Sequence, residues 1–137
     1  MGDDERQQRV LQYWSEAWSR GRVEVLDQFY AASFRENDEE LTPAAFGVHL
    51  LSWRERFPDF TAEVVRVWCT PEAVVTRVVY TGTHRGDFSF LPATGRPVRS
   101  SGLDVFEFDE DGKVCQHWHE TDHWELFEQL GAKVGPS

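Results

Sequence analysis

The sequence predicts an α+β fold in which three N-terminal helices pack on a curved antiparallel sheet of four strands, followed by a closing C-terminal helix. Two observations support this prediction. Apolar residues recur at helical spacing up to residue 57, whereas residues 60–121 form segments rich in Val and Thr, as strands do. Helices on one face of such a sheet can leave a blind apolar cavity between the two layers.

The helical half of the chain divides into three segments. The first has a helical stripe and a terminal glycine, namely Val10, Leu11, Trp14, Ala17, Trp18 and Gly21. The second is a short helix with the stripe Val25, Leu26, Phe29 and Tyr30, and an acidic loop over residues 34–40 follows it. Thr42 is the expected cap of the third helix, with Pro43 in its first turn and Pro58 at its end.

The second half reads as strands. Residues 60–69 and 73–83 flank a Thr-Pro-Glu turn, which predicts an antiparallel hairpin. Residues 98–108 and 113–121, joined by an Asp-Glu-Asp-Gly turn, complete a meander of four strands. Asp122 is the expected cap of the closing helix. The apolar stripe of that helix is predicted to be Trp124, Phe127 and Leu130.

Length and charge limit the possible partners. The chain has 137 residues, which predicts a single domain over residues 1–137. Its formal net charge of -10 opposes binding to nucleic acid and to anionic membranes. The polar, acidic first residues and the lack of a long apolar run predict a cytoplasmic protein without a membrane span. Cys69 and Cys115 show no disulfide or metal spacing, so we expect both to be reduced.

Four short motifs occur along the strand half in a fixed order. They are Arg77-x4-Gly82-Thr83-His84, Pro92-x-Thr94-Gly95-Arg96, Asp111-Gly112-Lys113-Val114-x2-His117-Trp118 and Gln129-Leu130-Gly131. Their order and spacing resemble the SnoaL-like polyketide cyclases, which share the cone-shaped fold of the nuclear-transport-factor-2-like superfamily. The resemblance covers about residues 14–132. It implies a cone with an internal pocket and ring closure by intramolecular aldol chemistry, without cofactor or metal.

The resemblance also implies a catalytic pair. The family pattern has an Asp two residues after the His of the Asp-Gly-Lys strand, and a His on the preceding strand. Here the first position is His119, and the second is Asp104 if the turn at 109–111 holds one extra residue. The pair is thus present with its identities exchanged. We predict that His119 acts as general base and then acid, while Asp104 orients it. Whether both side chains face one cavity is open at this stage.

Six further residues are candidates for substrate binding. Arg77 lies within a Val-rich strand, so it must pair with Glu107 or Asp104 or hold a substrate oxygen. Asp122 is either only a helix cap or an acid at the cavity floor. The remaining candidates border the predicted helical stripes or carry aromatic rings, and they are His49, Trp18, Trp53 and Phe88. Such aromatic walls predict a hydrophobic, polycyclic or polyene ligand.

A metal site is the alternative use of the histidines. His117 and His119 stand two apart on one strand, and His84 could be a third zinc ligand. The family that the chain resembles needs no metal, so we predict no metal and no cofactor. His117 and His84 are then expected to be structural residues.

Two other functions stay open on the same fold. One is epoxide opening, as in the similar limonene-epoxide hydrolases, with Arg77 and either Asp104 or Asp122 at the reacting centre. The other is a non-catalytic module for small-molecule binding or dimerisation. Because a sheet face rich in Val and aromatic residues is costly in water, we also predict a homodimer that buries it.

Overall fold

The computed structural model describes residues 1–88 and 91–131 and confirms the α+β class. Helix α1 (Asp3–Gln12) continues directly into a π-helical turn, Tyr13–Trp18. A 3₁₀ turn (Val23–Val25) leads into the single turn of α2 (Leu26–Phe29). The remaining elements are β1 (Tyr30–Glu36), β2 (Glu39–Leu41), α3 (Pro43–Arg56), β3 (Thr61–Cys69), β4 (Ala73–Thr83), β5 (Pro97–Phe108), β6 (Val114–Thr121) and α4 (His123–Gln129).

The sheet has six strands in the order β2-β1-β6-β5-β4-β3. Its four strands from β3 to β6 form the predicted antiparallel meander. The prediction of four strands was too low, because β1 pairs in parallel with β6 and antiparallel with β2. The described residues therefore form a mixed sheet rather than a purely antiparallel one.

The extra strands replace the predicted acidic loop and the end of the predicted second helix. Tyr30 and Phe34 are both buried, and their rings stack with centroids 3.9 Å apart. Apolar residues four apart fit a helical face as well as one face of a strand, so the pattern alone does not separate the two. The acidic residues after Phe34 form the tip of a β-hairpin, in which Asn37 adopts a positive φ of 51°.

Both predicted helix caps are confirmed. The Thr42 side chain accepts a hydrogen bond from the Ala45 amide at 3.2 Å, and the Asp122 side chain accepts one from the Glu125 amide at 2.9 Å. The predicted stripe of α4 is wrong in one respect, since Trp124 is 53% exposed. Leu130 is buried as predicted, and Leu126 rather than Trp124 joins it in the apolar cluster that Phe57 and Phe60 help to form.

The main core lies between the helices and the concave face of the sheet, and aromatic rings dominate it. Its largest buried side chains include Tyr13, Tyr30, Phe34, Phe46 and Phe106. Within residues 1–88 and 91–131, no helix has the length and apolar character needed to cross a membrane. The rings of the core form the base of a cavity that opens between the two layers.

Candidate functional site

A cavity lies between the helical layer and the sheet, and it encloses about 540 Å³ of space with its open mouth included. The part of this space in which a water molecule fits is about 90 Å³. Its apolar wall is mostly aromatic and consists of Trp14, Trp18, Phe46, Trp53, Phe60 and Tyr80. Its polar lining consists of Tyr13, Glu36, His49, Asp104, His117, His119, Thr121 and His123.

The pairing of β5 with β6 brings the candidate catalytic residues into this cavity. Asp104 is the cross-strand partner of His119, and Phe106 is that of His117. Alternate residues of a strand share a face, so both histidines point the same way as Asp104. The pairing shifts register near Phe108, where Val114 rather than Cys115 enters the core. Alternation alone would have grouped Cys115 with the two histidines.

Asp104 contacts His117 rather than His119. Its Oδ2 lies 2.5 Å from His117 Nε2, and each of the two side chains is only 3% exposed. Tyr80 donates a longer hydrogen bond of 3.4 Å to Asp104 Oδ1. The direct pairing of His119 with Asp104, which the sequence predicts, is therefore not formed, although both line one cavity. His117 contacts Asp104 instead, because it lies deeper in the core than His119, beside Phe106.

Behind His117 runs a chain of buried hydroxyl groups. His117 Nδ1 lies 2.8 Å from the Tyr30 hydroxyl, and Tyr30 donates to the Tyr13 oxygen at 2.9 Å. Trp18 Nε1 also donates to the Tyr13 oxygen, at 2.8 Å. Burial raises the pKa of both tyrosines well above the ordinary value of 10.0, so both stay protonated at neutral pH.

His119 has a carboxylate partner that the sequence did not indicate. Its Nε2 lies 2.7 Å from Glu36 Oε1, and the side chains are 30% and 16% exposed, respectively. The hydrogen bond to Glu36 raises the pKa of His119 despite the opposing effect of burial, and the charges of Glu36 and Asp104 add to the rise. Burial tends to raise the pKa of Glu36, but the bond and charge of His119 outweigh it and lower that pKa.

The tip of the β1–β2 hairpin holds Glu36 in position. The Asn37 amide donates to the His117 carbonyl at 2.8 Å, and the His119 amide donates to Asn37 Oδ1 at 2.9 Å. Gln116 Nε2 donates to the Asn37 carbonyl at 2.9 Å. Asn tolerates the left-handed backbone conformation that this turn requires. The hairpin is thus fastened to β6 at Gln116, His117 and His119, next to the Glu36 carboxylate.

The raised pKa of His119 and the lowered pKa of Glu36 determine how this pair affects the stability of the fold at each pH. The raised pKa of His119 adds stability below its ordinary value of 6.5, and that stability is lost as pH rises through the raised value. The lowered pKa of Glu36 adds stability above its ordinary value of 4.5, and that stability is lost as pH falls through the lowered value. The pair therefore stabilises the fold fully between about pH 4.5 and 6.5.

Comparison with known proteins places the chain in a family. The sequence model of the SnoaL-like polyketide cyclases matches residues 8–130, which is most of the chain. The chain belongs to the SnoaL-like polyketide cyclase family. No curated protein matches its sequence.

Solved structures share the fold of this SnoaL-like chain over nearly its whole length. A candidate polyketide cyclase from Acidithiobacillus ferrooxidans is 26% identical, with a TM-score of 0.84 over 96% of this chain and 98% of the other. IdmH, a candidate polyketide cyclase from Streptomyces antibioticus, is 25% identical, with a TM-score of 0.80 over 93% and 99%. AclR, a candidate hydroxylase from Streptomyces galilaeus, is 25% identical, with a TM-score of 0.83 over 95% and 98%. The shared architecture is the nuclear-transport-factor-2-like cone.

The predicted binding residues divide into two groups in this SnoaL-like structure. His49, Trp18 and Trp53 line the cavity together with His119 and Asp104. Arg77 does not, because it is exposed on the outer face of the sheet, between Arg66 and Leu103 on the neighbouring strands. A charged residue in a Val-rich strand is here on the solvent side of the pleat, where it needs no buried partner.

The other two predicted binding residues also lie outside the cavity. Phe88 packs against Trp53 and Phe57 in the second apolar cluster. Asp122 is exposed and serves as the cap of α4.

His84 is buried away from the other histidines and accepts a hydrogen bond from the Thr94 amide at its Nδ1. Within the described ranges 1–88 and 91–131, no group of three His, Cys, Asp or Glu side chains has the arrangement of a metal site.

Sequence reasoning missed several residues that line the cavity. Glu36 belongs to the acidic stretch at residues 34–40, which was predicted to be a solvated loop, so no cavity role was assigned to it. Tyr13 lies three positions after Val10 and four before Ala17, so helical spacing fits it to the buried stripe although the prediction did not include it. His117 was predicted to be structural, yet the structure places its imidazole in the cavity wall against Asp104. The one available signal was the two-residue spacing of His117 and His119, which puts both on one strand face.

Proposed function

We propose that this SnoaL-like protein is a cofactor-independent cyclase or isomerase that closes a ring in a polyketide-like small molecule by acid/base chemistry of the aldol type. The observation that carries the proposal is the Glu36–His119 pair, which lies at the wall of an aromatic cavity with a raised His119 pKa. A group that changes protonation state near neutral pH is what such proton transfers need.

His119 is the proposed general base and acid. In its neutral form the imidazole takes a proton from a carbon next to a carbonyl group, which leaves an enolate. The enolate carbon then forms a carbon–carbon bond with a second carbonyl carbon of the same molecule, and that carbonyl oxygen becomes an alkoxide. The imidazolium returns its proton to the alkoxide, so the reaction ends with a hydroxyl group and the starting form of His119. Glu36 stabilises the imidazolium between these steps.

Asp104 and His117 are proposed to position this centre rather than to exchange protons with the substrate. Their contact is short and nearly inaccessible to solvent. It fixes the face of β6 from which His119 projects, and the Asp104 charge supports the protonated form of His119. This division of roles replaces the predicted His119–Asp104 pair.

The cavity wall supports a flat, hydrophobic substrate. Trp18, Trp53 and Phe60 present rings to the space, and Trp18 lies 5.6 Å from Phe60 between ring centroids. Aromatic faces of this kind favour planar ligands through stacking contacts. The His49 side chain lies at the same cavity, on helix α3, where it can contact a polar edge of such a ligand.

An exchange experiment tests this proposal without knowledge of the natural substrate. Methyl naphthyl ketone is flat, aromatic and carries carbon-bound protons next to a carbonyl group. We expect the protein to speed the exchange of these protons for deuterium in heavy water, followed by NMR. Exchange at the rate of buffer alone would contradict the proposal and would favour the non-catalytic binding module.

Epoxide opening, the other enzymatic alternative, is less well supported by the geometry. It relies on Arg77 acting with Asp104 or Asp122. Arg77 lies on the outer sheet face, and Asp122 lies at the exposed start of α4. Neither residue lines the cavity, so only Asp104 of the three lies where an epoxide could bind.

We also propose that the protein is a homodimer that buries its outer sheet face. Trp68, Val75, Val105 and Trp118 form one row across four strands, and each of the two tryptophans is 41% exposed. An apolar row of this size is typical of an interaction surface. We expect a dimer by light scattering at micromolar concentration and a monomer for Leu103→Asp on the same face. A monomeric wild-type protein would contradict this.

A further inference from the structure

The Tyr13 hydroxyl is the feature of the cavity wall that the proposed acid/base roles leave unused. Its oxygen accepts two hydrogen bonds, one from Trp18 Nε1 at 2.8 Å and one from the Tyr30 hydroxyl at 2.9 Å. A phenolic oxygen has two lone pairs and one proton, so these two donors occupy both lone pairs. Among residues 1–88 and 91–131, no side chain or carbonyl group accepts the Tyr13 proton.

The π-helical turn produces this arrangement. The turn Tyr13–Trp18 contains a backbone bond from Ser19 N to Trp14 O, which joins residues five apart. In an α-helix, residues five apart point about 140° away from each other. The wider π-helical turn brings Tyr13 and Trp18 to the same side, so the Trp18 indole can reach the Tyr13 oxygen. The local backbone thus supplies the first of the two donors to Tyr13.

Tyr30 adds the second donor from another element. It opens β1, and its hydroxyl also contacts His117 Nδ1 at 2.8 Å. Tyr30 donates its own proton to Tyr13, so the Tyr13 oxygen accepts hydrogen bonds from two different elements of the fold. The bonds from Tyr30 and Trp18 both end at Tyr13, and neither of them uses the Tyr13 proton. Hydrogen bonds in such chains polarise one another and strengthen the last donor.

We propose that Tyr13 is a further catalytic residue, whose hydroxyl donates a hydrogen bond to the carbonyl oxygen of the substrate and stabilises the negative charge that develops there. The inference rests on the proposed function, since it assigns the donor for the enolate that His119 would generate. A preorganised donor at the site of developing charge is among the largest contributions to enzymatic rates. Burial keeps the pKa of Tyr13 well above its ordinary value, so the proton remains available over the working pH range.

The test uses the same methyl naphthyl ketone but measures its bound state instead of its turnover. A carbonyl oxygen can only accept hydrogen bonds, and the infrared carbonyl band moves to lower frequency when it does. We expect the bound ketone to show this shift in the wild type and to lose it in Tyr13→Phe, with about tenfold weaker binding by tryptophan fluorescence.

Ser33→Ala is the matched control, because it also removes one hydroxyl group, but from an exposed position on β1 that bonds Glu40 and lies outside the cavity. We expect its bound ketone to keep the wild-type band. If Tyr13→Phe does not fold, Trp18→Phe is the second variant, since it removes one of the two donors to Tyr13. Its bound ketone should show a carbonyl band at a frequency between those of the hydrogen-bonded and the free ketone. An unchanged band in Tyr13→Phe, or no binding of the ketone by the wild type, would overturn the inference.

The infrared and exchange results separate the two proposals. Suppose that the carbonyl band of the bound ketone shifts only when Tyr13 is present, but the protein does not speed deuterium exchange. This result would support Tyr13 as the hydrogen-bond donor and contradict the cyclase chemistry. If the protein speeds deuterium exchange but the carbonyl band is the same in Tyr13→Phe, the result would support the cyclase chemistry and contradict the role of Tyr13 as donor.

Discussion

His119→Gln is expected to lower the protein-catalysed deuterium exchange of methyl naphthyl ketone by a factor of about 10² to 10⁴, the usual contribution of a general base. Glutamine is close to histidine in size, and its amide can still donate to Glu36, which lies 2.7 Å from His119 Nε2. The substitution therefore removes the titrating group while retaining the contact that fastens the hairpin. The measurement is the initial exchange rate by NMR at saturating ketone.

Glu120→Gln provides the matched control for this variant. Glu120 is the next residue of β6 and is exposed, because neighbouring residues of a strand point to opposite faces. We expect the Glu120→Gln protein to exchange the ketone at the wild-type rate. If His119→Gln keeps more than about a tenth of the wild-type rate while folding normally, His119 is not the base.

Asp104→Ala is expected to have the largest effect on stability, lowering the free energy of unfolding by about 3–5 kcal/mol, as when one partner of a buried pair is removed. Asp104 Oδ2 contacts His117 Nε2, and both side chains are almost fully enclosed. The truncation leaves His117 Nε2 without its partner in a site that water reaches poorly, and it leaves a small void beside Phe106. Urea denaturation followed by circular dichroism gives the value.

Asp104→Asn and Asp111→Ala separate the causes of that loss. Asparagine keeps an acceptor oxygen and the size of the side chain, so we expect a smaller destabilisation than for alanine. Asp111 is exposed in the β5–β6 turn, and its truncation should change stability by less than about 0.5 kcal/mol. If Asp104→Ala destabilises no more than Asp111→Ala, the Asp104–His117 contact does not hold the fold together.

Much of the fold follows from local sequence signals. The β3–β4 hairpin, the Thr42 and Asp122 caps and the change from helical to strand spacing depend on residues that are close in the chain. The resemblance to a known family added the cone shape. The two N-terminal strands were not predicted, because β1 pairs in parallel with a strand about 80 residues later and no turn between them marks that pairing.

The candidate site was predictable only in part. His119, Asp104, Trp18, Trp53 and His49 do line one cavity. The pairing within it was not predictable, since Glu36 and His119 are 83 positions apart and meet through the tip of a hairpin. A one-residue irregularity near Phe108 also changes which side chains point inward, and the π-helical turn brings Trp18 to the same side as Tyr13. Period-based reasoning assumes regular elements and therefore fails at these two places.

The central claim is that Glu36, more than Asp104, sets the protonation of His119, and an NMR titration of the His119 imidazole tests it most directly. The resonance is assigned by its absence in His119→Gln. We expect the pKa in the wild type to lie above the ordinary value of 6.5 and to fall further in Glu36→Gln than in Asp104→Asn. Glu39→Gln, on the exposed part of the same hairpin, should leave it nearly unchanged. A His119 pKa that does not fall in Glu36→Gln would contradict the account, because the pair would then not control the proton on which the proposed chemistry depends.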